Sequence, residues 1–330
     1  MLAIDRASGA LADRLFSDLP SLLRPGDLLV VNDTRVFAAR LLGRRLPGGG
    51  AAECLLVRRL EPGDPRDGPE EMWEALVHPG QRLKAGSRLD FAAGDVVIHG
   101  EIIALRFHGR RGIRLWVEAP ASSVSRAIDI IGHVPLPPYI KRADTLSDQE
   151  RYQTVYARAR GSIAAPTAGL HFTPALLAAL DERGVERTAI TLHVGYGTFE
   201  PIRVDRIEEH RMAEEYYEVP PDTAAALSRA RREGRRIIAV GTTTTRTLES
   251  LPIAEDGRIE PGAASTSLFI QPGHQFRIVS GLITNFHLPR SSLLILVSAF
   301  AGRELVLSAY RHAIEQRYRF YSYGDATLIL

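Results

Sequence analysis

Cysteine is nearly missing from this chain. Cys54 stands alone among 330 residues, so no internal disulfide and no Cys-rich zinc centre can form. Long apolar runs are absent too: none reaches the length that spans a bilayer, and the first residues lack the charged-then-apolar order of a secretory signal. A cytoplasmic protein without a membrane partner is expected. Lysine is reduced to Lys84 and Lys141, and the 41 basic and 39 acidic residues nearly cancel to a net charge of +2. No global charge therefore points toward or away from nucleic acid. Doublets such as Arg44-Arg45, Arg110-Arg111 and Arg235-Arg236 offer local basic patches, although a solvated face is the plainer reading of each. Neither a dinucleotide-binding glycine fingerprint nor a GK[ST] phosphate loop occurs.

What is present changes texture along the chain. The start carries an amphipathic segment, LADRLFSDLPSLL, and then the apolar run DLLVV, which reads as a buried strand. Residues 39–134 show closely spaced strand patterns, AECLLVRRL, MWEALVHPG, SRLDF, DVVIHGEIIAL and GIRLWVEAP, with Gly/Pro-rich stretches at 47–50 and 61–69 as hairpin loops. Few helix signals interrupt them, which indicates a small closed barrel or sandwich. Beyond residue 135 helices and strands alternate: TPALLAALDERG feeds TAITLHV, and PDTAAALSRARREG feeds RRIIAV. The expected fold is α/β, with a larger α/β domain formed from both chain ends (1–38 and 135–330) and an inserted small antiparallel β-barrel domain (39–134).

Several segments carry candidate chemistry. APTAGLHFT and TLHVGYGTFEP bracket one helix-strand unit with His171, His193, Thr167, Gly169, Gly195, Gly197 and Thr198. Glycine-rich backbone at strand ends lets a ligand approach closely. In IIAVGTTTTRTLESL a strand ends at Gly241 and a Thr-rich helix begins. Its free N–H groups, with Thr242, Thr243 and Arg246, suit a carboxylate or phosphate; a Thr-capped core helix is the bland alternative. GLITNFHLP sets Asn285 and His287 at a strand end, as a base-reading or proton-transfer pair or as satisfied core residues. In VVNDTR, the residues Asn32, Asp33 and Arg35 follow a strand, where either a ligand contact or a simple turn fits. RYRFYSYGD interleaves arginine with aromatics, a pattern that stacks unpaired bases or caps a core.

Together with VPLPPYI, ERYQTVYA, EHRMAEEYYEV and LLILVSAFAG, these segments make the chain resemble the S-adenosylmethionine:tRNA ribosyltransferase-isomerases of queuosine biosynthesis. They occur in the family's order and cover nearly the whole chain. The resemblance implies that S-adenosylmethionine serves as co-substrate, with no permanently bound cofactor and no metal. Its ribosyl group passes to 7-aminomethyl-7-deazaguanine in the wobble position of a tRNA anticodon arm, and adenine and methionine leave. His171 and His193 are then candidates for proton transfer. Gly169, Gly195, Gly197 and Thr198, beside Thr167, would shape the adenosyl pocket, and Gly241, Thr242, Thr243 and Arg246 would hold the methionine carboxylate. Asn285, His287, Asn32, Asp33 and Arg35 would face the deazaguanine and ribose. Members usually carry a further segment ahead of LAIDR; either the start codon is misassigned or an N-terminal strand and helix are missing here. A monomer is expected. A nucleoside or phosphate-ester hydrolase is the alternative enzyme class, and a non-catalytic RNA-binding protein the alternative outside catalysis.

Overall fold

The computed structural model describes all residues except 61–67, 107–108, 119–122, 138, 196–201, 203 and 205. Along the chain the elements are β1 (Leu2–Ile4), β2 (Leu11–Asp13), α1 (Leu19–Leu22), β3 (Leu28–Asn32), β4 (Thr34–Val36), β5 (Arg40–Leu46), β6 (Ala51–Arg59), β7 (Glu70–His78), β8 (Arg88–Ala93), β9 (Val96–Leu105) and β10 (Arg110–Val117). Next come α2 (Val124–Ile131), α3 (Leu146–Arg151), β11 (Ala159–Ser162), α4 (Pro174–Glu182), β12 (Glu186–Leu192), β13 (Glu215–Val219) and α5 (Pro221–Arg232). The last are β14 (Ile237–Val240), α6 (Thr242–Ser250), β15 (Gly262–Thr266), β16 (Gly281–Asn285), α7 (Ser292–Ala301), α8 (Arg303–Glu315) and β17 (Ala326–Ile329).

The chain divides into two compact units, Met1–Arg35 with Gln153–Leu330, and Val36–Tyr152. The second junction thus falls well beyond the expected 134/135. Asp144 accepts from Val134 N and pairs with His133 Nδ1, while Arg142 grips Asp148, so the stretch after the last barrel strand folds back on its own unit. The first junction falls before Val36, because Ala39 is already fully buried and accepts from Leu56 N.

The smaller unit is a closed antiparallel barrel in the order β10-β7-β6-β5-β8-β9. The strand pattern misses β5, whose arginines (Arg40, Arg44, Arg45) hide its alternation. Gly43 lies so close to the β8 backbone that no Cβ fits there. Ser123 caps α2, which buries Val124, Ala127, Ile128 and Ile131 as a single stripe.

The larger unit is built on a nine-stranded sheet, β15-β13-β12-β3-β14-β16-β17-β1-β2. The central run β12, β3, β14 and β16 is parallel throughout. Its sequences are near-continuous apolar runs, LLVV and IIAV, because both faces are covered. Leu28 and Val30 join one core with Leu227, Leu248 and Leu296, whereas Leu29 and Val31 join another with Phe172, Leu177 and Leu180. Thr173 caps α4 through Leu176 N, and Gly184, at φ +82, ends the chain's turn into β12. The segment LADRLFSDLPSLL, amphipathic on paper, instead splits into β2, paired antiparallel with β1, and the short α1. Among the described residues no single helix is long and apolar enough to cross a membrane.

Candidate active site

The parallel strands deliver their carboxyl ends to one edge of the sheet. The chain passes from β3 to β12 on one side and later to β14 on the other, so the strand order reverses at β3. The crevice outside such a reversal is where open α/β sheets bind ligands. Neighbouring strands lie about 4.8 Å apart, so the four ends span roughly 14 Å. Asn32 and Asp33 follow β3, His193 follows β12, Gly241 follows β14, and Asn285 closes β16. Ala326 pairs with Asn285, which brings the RYRFYSYGD segment to the same edge. Thr167 Oγ1 donates to Asn285 Oδ1 at 3.0 Å, so the 3-10 turn Thr167–His171 sits there as well.

His193 is the most deliberately held group. Its Nδ1 lies 2.8 Å from Thr34 Oγ1, its ring stacks with Tyr216, and its backbone N donates to Tyr216 O. Gly161 faces the ring at a point where a Cβ would stand 2.7–2.9 Å from three ring atoms. Burial pushes the imidazole below its ordinary value, and Asp33 partly offsets this. The ring is therefore held toward its neutral form, and its Nε2 has no hydrogen-bond partner among the described residues. Asp33 accepts from Thr191 Oγ1 at 2.6 Å and pairs with Arg158 at 3.0 Å.

Gly241, at φ +92, opens α6 in a conformation open to glycine. Four successive threonines are poor helix formers. Here Thr244 and Thr245 hydroxyls donate to Val240 O and Gly241 O, and Thr247 to Thr243 O, which fixes them within the helix. Thr242 and Thr243 start the helix with no hydroxyl partner among the described residues. With the free amides of the first turn they form a donor cluster for an anion.

Several of the residues expected at the site bond to the protein itself in this geometry. Arg246, expected at a carboxylate, is buried; its Nη1 pairs with Glu215, its Nε donates to Leu268 O, and its Nη2 has no partner among the described residues. Glu215 in turn accepts from Gly195 N at 3.2 Å. A buried cation needs a buried counter-charge, so this pair braces the Gly195 segment. Asn32, expected to face substrate, is fully buried; its Nδ2 donates to Leu192 O and its Oδ1 accepts from Thr34 N and Leu192 N. It ties β3 to β12 and aligns Thr34 for His193. His171 has both ring nitrogens against carbonyls, Ala168 O at 3.2 Å and Gly324 O at 3.0 Å. His287 bonds Thr284 Oγ1 through Nε2 at 2.9 Å, and burial pushes it down to about 4. Arg35 is exposed. Tyr318 and Phe320 pack against the core instead of offering a stacking platform. Gly197 and Thr198 lie outside the described residues. Thr34, Gly161 and Glu215 complete the site, and only the motifs VVNDTR and EHRMAEEYYEV hinted at two of them.

A mixed α/β sheet with a polar edge at its strand reversal, joined to a small closed antiparallel barrel, defines the class of this protein. The chain belongs to the queuosine biosynthesis protein family, whose model matches residues 1–329. It is 50% identical over 330 residues to a protein of Heliobacterium modesticaldum named S-adenosylmethionine:tRNA ribosyltransferase-isomerase, covering all of this chain and 92% of that one. A protein of the same name from Symbiobacterium thermophilum is 49% identical with the same coverage. Among solved structures, S-adenosylmethionine tRNA ribosyltransferase from Thermotoga maritima matches with TM-score 0.52 and 36% identity, over 100% of this chain and 91% of that one.

Proposed function

We propose that this protein is an S-adenosylmethionine:tRNA ribosyltransferase-isomerase. It transfers the ribosyl group of S-adenosylmethionine to 7-aminomethyl-7-deazaguanine at the tRNA wobble position, rearranges it to the epoxycyclopentanediol of epoxyqueuosine, and releases adenine and methionine. The sulfonium acidifies the adjacent C5′ hydrogens and makes methionine a neutral leaving group. The protein must therefore supply a neutral base and an anchor for the methionine carboxylate. His193 is the base, through Nε2, with Asn32 and Thr34 orienting it. The first turn of α6, with Thr242 and Thr243, receives the carboxylate. Gly195, with open space on its side-chain face, lets the adenosyl group approach the backbone, and Asn285 stands at the neighbouring strand end. The enzyme acts on the anticodon arm as a cytoplasmic monomer.

One observation carries this reading: four strand ends from distant parts of the chain set an imidazole and a helix N-terminus along one edge. The test is incubation with S-adenosylmethionine and tRNA bearing the deazaguanine precursor, with free adenine measured. Adenine appears only when both are present. Adenine from S-adenosylmethionine alone would point to a nucleoside hydrolase instead.

A further inference from the structure

The turn Thr167–His171 is bordered by polar atoms with nothing to bond. Asn285 is 4% exposed; its Oδ1 accepts from Thr167, and its Nδ2 is buried without a partner. Tyr156 presses against Gly169 so closely that a Cβ there would collide with the phenol oxygen, and this Oη is buried and unbonded. Thr154 Cγ2 would stand 2.7 Å from the same Cβ, and its Oγ1 is also buried and unbonded.

A buried amide or hydroxyl without a partner costs about 1–3 kcal/mol, and folded proteins keep few of them. Packing does not explain three beside one five-residue turn. Elsewhere at this edge Asn32 uses both ends of its amide, and the Thr244 and Thr245 hydroxyls reach carbonyls.

Resting on the function proposed above, we infer that Asn285 Nδ2, Tyr156 Oη and Thr154 Oγ1 are the hydrogen-bond partners of a purine-type base. An amide donor and two hydroxyls that donate or accept match the mixed donor-acceptor edge of a heteroaromatic ring, whereas a carboxylate or phosphate offers acceptors alone. Phe172, edge-on to Tyr156 at 6.2 Å, adds an apolar wall. Glycine at 169 is required because the phenol occupies the space of a side chain. The adenine of S-adenosylmethionine and the deazaguanine of tRNA share this edge chemistry, and the experiment separates them.

Tyr156→Phe and Thr154→Val each delete one hydroxyl and keep the shape; Asn285→Asp replaces the donor with an acceptor. The full chain is compared with each variant by thermal unfolding without ligand, by calorimetric titration of S-adenosylmethionine, and by KM for the modified tRNA. The two hydroxyl deletions melt at or above the wild-type temperature, because they remove unpaired groups, yet one substrate binds about fivefold or more weakly. A weaker S-adenosylmethionine Kd assigns the adenine. An unchanged Kd with a raised tRNA KM assigns the deazaguanine. Variants that melt lower and handle both substrates as wild type does overturn the inference. Failure of the wild-type protein to bind S-adenosylmethionine at all would strike the functional reading instead.

Discussion

At the scale of single residues, His193 and His287 are both pushed toward the neutral form by burial, with different consequences. His193 loses its proton below the ordinary 6.5, so the base form persists as pH falls through that value. The acid limb of kcat/KM is expected to have a midpoint under 6.5. In Asp33→Asn the upward pull on the ring is lost and the limb moves lower still; a limb that stays put would remove His193 as the titrating base. His193→Ala lowers kcat by about 10²–10⁴-fold. Gly161→Ala produces much of the same loss, because its methyl displaces the ring; near wild-type turnover in Gly161→Ala would contradict the positioning. His287 titrates at about 4 when folded and 6.5 when free. The unfolded chain binds the extra proton between those values, so stability falls as pH drops through that window and is complete above it. His287→Gln flattens the slope, as urea titrations at stepped pH will report.

At the scale of elements, α6 divides its polar groups between fold and ligand. Thr242→Val and Thr243→Val remove hydroxyls that bond nothing among the described residues, so each raises the S-adenosylmethionine KM several-fold and leaves the melting temperature within a few degrees. Glu249, in the last turn, accepts from the backbone N of Arg277, Ile278 and Val279. Glu249→Ala strands those donors and costs about 3 kcal/mol or more of unfolding free energy, measured by chemical denaturation. The contrast explains which parts of the site were legible in the sequence. Gly241 and the threonines advertise a helix start through local chemistry, as do the Thr173 cap and Gly184 stop of α4 and the first-turn proline and Gly234 stop of α5. Arg246 advertised a cation but not its counter-charge, because Glu215 comes from a strand 31 residues away. Asn32 and His171 read as reactive side chains, yet their partners are main-chain groups of β12 and of the 317–325 segment, which no local pattern reveals. The strand β5 escaped notice because arginines interrupt its apolar alternation.

At the scale of the molecule, strand order turns scattered motifs into one site. The α/β texture and the inserted barrel follow from periodicity and turn residues, but the adjacency of β12, β3, β14 and β16 is a property of the assembled sheet. That adjacency is the central claim, and hydrogen exchange of the full chain with and without S-adenosylmethionine tests it most directly. The account predicts ligand-dependent protection concentrated in peptides covering residues 31–34, 154–171, 191–195, 240–247 and 284–287, with β6 to β10 unchanged. Protection confined to the barrel strands, or spread evenly over both units, would contradict it.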